Sequence, residues 1–125
     1  MAKDAMKKVD PREEAVASLM KAAANELLAA KIMAGEGTRM APSVVFHSQR
    51  AAESALCAFL AAQGVASKAK NLAAILEQCR RYSQALAEVE LARLEAAATA
   101  PAEARRIVAV VTEALPPEIR KAMGG

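Results

Sequence analysis

From Phe46 to Leu60 the chain reads Phe-His-Ser-Gln-Arg-Ala-Ala-Glu-Ser-Ala-Leu-Cys-Ala-Phe-Leu, with no proline or glycine to interrupt it. On a helix, Val45, Ala52, Leu56 and Phe59 fall on one side, the side expected to face a core. Val44, Ala51, Ala55 and Ala62 form a flank of small residues that lets a second helix approach closely. Phe46, Gln49, Glu53 and Leu60 form a mixed flank on the other side, and Ser43, His47, Arg50, Ser54 and Cys57 make a narrow polar stripe. A helix that is apolar over so much of its circumference needs neighbours on several sides. It belongs at the centre of a helical bundle.

The rest of the chain supplies those neighbours. Apolar residues make up 54% of it but aromatics only 2%, so the core is built from Ala, Leu, Val, Ile and Met. Alanine is the best helix former, whereas strands favour β-branched and aromatic side chains. The class is all-α, an up-and-down bundle of four to five helices. At 125 residues it is one domain, long enough to bury roughly 65–70% of its unfolded surface without a disulfide or metal.

Helix boundaries are written in the turn chemistry. Asp10-Pro11-Arg12-Glu13 is a start signal, with Asp10 as cap and Pro11 at the first helical position. Val16, Leu19, Met20, Ala23, Leu27 and Ala30 then follow at helical spacing up to Gly35 and Gly37. The second helix starts between Thr38 and Pro42 and stops at Gly64. Ser67 to Asn71 leads into a third helix bearing Leu72, Ile75, Leu76 and Cys79. Ser83 is expected to cap a fourth helix with Leu86, Val89, Leu91 and Leu94. Thr99-Ala100-Pro101 breaks the chain before a fifth helix carrying Glu103, Ile107, Val108, Val111 and Leu115, which Pro116-Pro117 ends. Residues 1–9 and 116–125 are expected to be flexible ends.

Several function classes are excluded by what the chain lacks. One histidine cannot furnish the paired Glu-x-x-His motifs of a di-iron bundle. Two distant cysteines and one histidine do not make a structural zinc site. No glycine-rich phosphate loop is present, and no metal or cofactor is expected. No apolar run approaches the ~18 residues of a membrane span, and the polar opening residues are unlike a signal peptide. A cytoplasmic protein with reduced thiols at Cys57 and Cys79 is expected. The net charge of +3 permits a polyanionic partner without demanding one.

The segment Phe46-His47-x-Gln49-x-Ala51-Ala52-Glu53-x-Ala55-Leu56-x-Ala58 resembles the signature helix of the HEPN family, the higher eukaryote and prokaryote nucleotide-binding domain. The preceding Leu27-to-Gly37 segment is similar to the family's approach to that helix. Lys70-Asn71-Leu72 stands where many members have His-Asp-Leu, and Thr99-Ala100-Pro101 resembles the break before the last helix. The likeness covers residues 13–115. It implies a helical bundle paired as a homodimer, with roles in nucleotide or RNA binding, often beside a minimal nucleotidyltransferase in toxin–antitoxin pairs. Many members are ribonucleases with a short Arg-then-His spacing. Here Arg39 lies eight positions before His47, beyond that spacing, and the motif histidine is replaced by Lys70.

The chain therefore reads as a non-catalytic HEPN-like protein with no catalytic residue. Candidate ligand or partner contacts are His47, Arg50, Glu53 and Ser54, with Lys68 and Lys70 at the start of the third helix, where backbone N–H groups also attract anions. Each has a structural counterpart. His47 also suits a half-buried histidine bonded to a neighbour, Arg50 a salt bridge, Glu53 a packing contact, and the lysines a solvated surface. Two other functional readings stand beside this one. In the first, the chain is a homodimeric interaction module paired through the small-residue flank. In the second, it is a weak metal-independent ribonuclease built on His47 and arginines from two subunits.

Overall fold

A computed structural model describes residues 10–123. The nine leading residues, expected as a flexible lead-in, and the final two glycines lie outside the described residues. Helix α1 spans Pro11–Ala34, and a single 3-10 turn at Thr38–Met40 leads into α2, Ala41–Ala62. Helices α3 (Leu72–Arg80) and α4 (Gln84–Ala87) follow. A second 3-10 turn, Leu91–Leu94, precedes α5 (Ala100–Ala114) and α6 (Pro117–Ala122). The all-α bundle is what the sequence pattern demands, and no strand occurs among the described residues.

The caps expected at Asp10 and Ser83 form, and Asn71 supplies a third. Asp10 accepts a hydrogen bond from the Arg12 N–H at 2.8 Å with Pro11 at the first helical position. Asn71 caps α3 through the Ala74 N–H at 2.8 Å, and Ser83 caps α4 through the Leu86 N–H at 3.2 Å. Behind the end of α2, Gly64 has φ +79, a conformation that costs a residue with a Cβ.

Helices α1 and α2 form an antiparallel hairpin with the most extensive pairing in the bundle, and α2 also packs on α3 and α5. Val16, Met20, Ala23 and Ala30 of α1 are buried, as their spacing predicts. On α2 the small flank Val44, Ala51, Ala55 and Ala62 is buried together with Ala52, Leu56, Phe59 and Leu60, while Val45 is half-buried. Burial of a Leu or Phe side chain contributes about 1.5–3 kcal/mol over leaving it in water. The small flank is therefore spent inside the chain's own bundle and is not free to pair a second subunit. Ser48, at the centre of the buried face, has a hydroxyl with no hydrogen-bond partner among the described residues.

Two segments differ from their sequence reading. The expected fourth helix through Leu94 stops after one turn at Ala87. Its continuation is broken because side chains from elsewhere take its backbone groups. Arg80 Nη2 donates to the Val89 carbonyl at 2.8 Å, and the Glu90 N–H donates to Glu103 at 3.2 Å. Leu86, Val89 and Leu94 still reach the core. Residues 117–122, expected as part of a flexible end, are helical. Pro116 is extended, Pro117 takes the first position of α6, and Ile119 is buried as this helix docks on α1. Proline ends one helix by its missing N–H and opens the next by its fixed φ.

Candidate functional site

The polar stripe of α2 lies along the edge of the α1–α2 hairpin. Glu26 is just outside the apolar face of α1, and the antiparallel pairing sets it across from His47 and Arg50. Its Oε1 is 2.6 Å from His47 Nδ1, and its Oε2 accepts from Arg50 Nε at 3.4 Å. An ionised carboxylate only accepts, so Nδ1 carries the proton in this pair. Glu26 and His47 are each about a quarter exposed (24%), which shields their contact from water. The Phe46 ring stands edge-on to His47 at 5.2 Å, and the Arg50 guanidinium carbon lies 5.6 Å from the Phe46 centroid. Contact of this kind between Arg and an aromatic face is worth about 0.5–1 kcal/mol at an exposed site.

A cleft of about 320 Å³ opens beside this cluster, lined by Phe46, Gln49, Arg50, Glu53, Lys70, Asn71 and Leu72. Three sequence-predicted residues, Arg50, Glu53 and Lys70, thus meet in one concavity although two of them come from α2 and one from the loop before α3. The loop is held in place by its own bonds. Ser67 Oγ donates to Gln78 Oε1 at 2.6 Å and accepts from the Ala69 N–H at 3.2 Å, and Asn71 is engaged as the α3 cap. The far wall is fixed by Gln49, whose Nε2 donates to the Leu94 carbonyl at 3.0 Å.

The remaining candidates sit differently. Lys68 is exposed and does not line the cleft, and Ser54 is half-buried farther along the stripe. His47 also stays out of the cleft lining, turned toward Glu26. Lys68 and Lys70 precede the helix, whose described start is Leu72. Sequence reasoning missed Glu26. The available signal was the one acid of α1 beyond its first turn, at the border of an otherwise apolar face.

Two further groups bear on the chemistry. Glu103, buried in α5, receives Arg93 Nε and Arg106 Nη1, each at 3.3 Å, besides the Glu90 N–H. Arg93 and the Glu90 N–H tie the preceding segment to α5, while Arg106 lies one turn on in the same helix, so this carboxylate is a structural hub. Burial pushes the Cys79 thiol up to about 12, with nearby Cys57 adding to the rise. Burial, then the Glu53 carboxylate, also raises the Cys57 thiol. Thiols held protonated are poor nucleophiles, and both cysteines are free.

A larger groove, about 720 Å³, runs beside α6 between Thr112 and Met123. Its polar side chains are exposed ones such as Glu118, Arg120 and Lys121, with no buried group to orient a ligand. The smaller cleft is the better chemical candidate because three of its polar groups, Gln49, Arg50 and Asn71, are held by their neighbours. Among the described residues no cluster of three or more His, Cys, Asp or Glu side chains forms a metal-binding set, and no helix is long and apolar enough to cross a membrane. Comparison with protein-family models, with curated proteins and with solved structures finds no match.

Proposed function

We propose that this chain is a non-catalytic helical domain that binds a nucleotide, free or as part of an RNA, in the cleft between α2 and the start of α3. The observation that carries the reading is the meeting of Arg50 and Lys70 beside the Phe46 ring, which is 54% exposed. The two cations suit phosphate oxygens, Arg50 by its planar fork and Lys70 as a point charge. An exposed aromatic ring offers a base a stacking surface. The cleft volume is at the low end of the roughly 300–1,000 Å³ of small-ligand sites, which suits one nucleotide unit. Glu53 and Gln49 supply acceptors that a base or ribose donor fits. The resemblance to the HEPN family supports the same ligand class.

The non-catalytic part rests on His47. It does not line the cleft, so it is not poised as a general base toward a ligand there. Calorimetric titration with ATP and with a short RNA tests the reading. Binding is expected, and Arg50→Ala with Lys70→Ala should weaken it by about tenfold or more, the scale of losing two charge-assisted contacts. No heat from the unaltered protein with either ligand removes the proposal.

A protein–protein role is the second reading, carried by a different surface. Leu28 and Ile32, one turn apart on the outer side of α1, are each 56% exposed. We propose this pair, in place of the buried small flank, as the contact for a second copy of the chain. The family resemblance would add a minimal nucleotidyltransferase as partner.

A further inference from the structure

We infer that Glu26 and His47 form a positioning relay that aims Arg50 into the cleft, so that His47 governs ligand affinity without touching the ligand. The inference rests on the binding reading above and assigns roles to two residues outside the cleft lining. Glu26 divides its two oxygens between two partners. His47 Nδ1 fixes Oε1 at 2.6 Å, and this short bond sets the direction in which Oε2 meets Arg50 Nε at 3.4 Å. Phe46 supports the guanidinium from its face. Arg50 is thereby held through Nε and one face, while its terminal nitrogens have no hydrogen-bond or ion-pair partner among the described residues. Those two nitrogens are a pair that can fork onto a phosphate, and Arg50 lines the cleft.

The relay matters because Arg50 is more than half exposed. An unrestrained arginine on a surface helix gives up rotamer freedom when it grips a ligand, and a prepositioned one has already done so. Charge considerations alone make the opposite forecast. Glu26 is an anion next to an anion-binding arginine, so if it acted only through its charge its removal would tighten phosphate binding. The remaining charged groups at the cleft, Glu53 and Lys70, have no ion-pair partner among the described residues and do not brace Arg50.

Titration of full-length Glu26→Ala, Glu26→Gln, His47→Ala and the unaltered protein with ATP and a short RNA separates these accounts. Glu26→Ala is expected to weaken binding by about five- to tenfold, the scale of freeing one long side chain. His47→Ala should weaken it in the same direction. Glu26→Gln should bind within about twofold of the unaltered protein, because the amide oxygen still accepts from Arg50 while its N–H₂ meets the other tautomer of His47. In an Arg50→Lys background, Glu26→Ala should change nothing further. Affinity unchanged or raised in Glu26→Ala or in His47→Ala overturns the relay, as does Glu26→Gln binding no better than Glu26→Ala. If Glu26→Ala does not fold, His47→Ala decides alone. Binding by the unaltered protein together with an overturning result removes only the relay. No binding by any variant removes the ligand reading and the relay with it.

Discussion

Cys79 is the side chain whose protonation is most tightly tied to the fold. Its thiol is fully buried, donates to the Leu56 carbonyl at 3.5 Å, and is pushed up to about 12. An unfolded cysteine releases its proton near pH 8.5. The folded form therefore holds a proton that the unfolded form has lost, and the resulting stability is present below the unfolded value and fades as pH rises toward the folded one. The slope from this one group approaches about 1.4 kcal/mol per pH unit. Urea midpoints measured from neutral pH to about pH 11 should fall more steeply for the unaltered protein than for Cys79→Ala. Equal slopes would show that Cys79 does not govern the alkaline limb. At this same scale the sequence offers the charged residues that line the cleft and hides a partner of one of them. Arg50, Glu53 and Lys70 were legible because charge on an amphipathic helix or at a helix start is a local signal. Glu26 was not, because its meaning arises only when α1 lies antiparallel to α2, a pairing of residues more than twenty positions apart.

Elements show a similar division. Helices α1, α2, α3 and α5 follow from apolar period and capping chemistry, since Asp10, Asn71, Gly64 and Pro101 act within a few residues of themselves. The stretch from Glu88 to Leu94 does not follow, although its apolar residues are spaced for a helix. Arg80 from α3 and Glu103 from α5 capture the Val89 carbonyl and the Glu90 N–H, and those tertiary bonds outweigh a short helix with weak propagation. Glu103→Ala should therefore act on this segment first. It frees Arg93 and Arg106, both near half exposed and able to rehydrate, so the global cost is expected to be about 2 kcal/mol, below the 3–5 of a fully buried pair. Hydrogen exchange should quicken at amides from Glu88 to Glu95 more than in α1. Unchanged exchange there would mean that Glu103 does not hold the segment. Helix α6 was illegible for another reason. Double proline reads as a stop, and only the packing of Ile119 against the bundle reveals that it is also a start.

For the molecule as a whole, the pairing proposed through the outer surface of α1 is open to a direct test. Leu28 and Ile32 lie outside the core, and burial of their exposed halves against a partner would add about 2–3 kcal/mol together. Light scattering against concentration should show self-association that Leu28→Lys with Ile32→Lys abolishes, with the helical content unchanged. A monomer at high micromolar concentration would exclude the pairing. The α1–α2 hairpin has a further consequence in time. Its two helices are joined by only a short connection, so their mutual contacts close early in a chain whose later segments must wait for more distant ones. Glu26, Phe46, His47 and Arg50 all belong to that hairpin. The arginine's support is then complete as soon as the first two helices have met, even while α3 and the lysine before it are still being recruited, and an emerging chain would carry part of the proposed recognition surface before the bundle has closed around it.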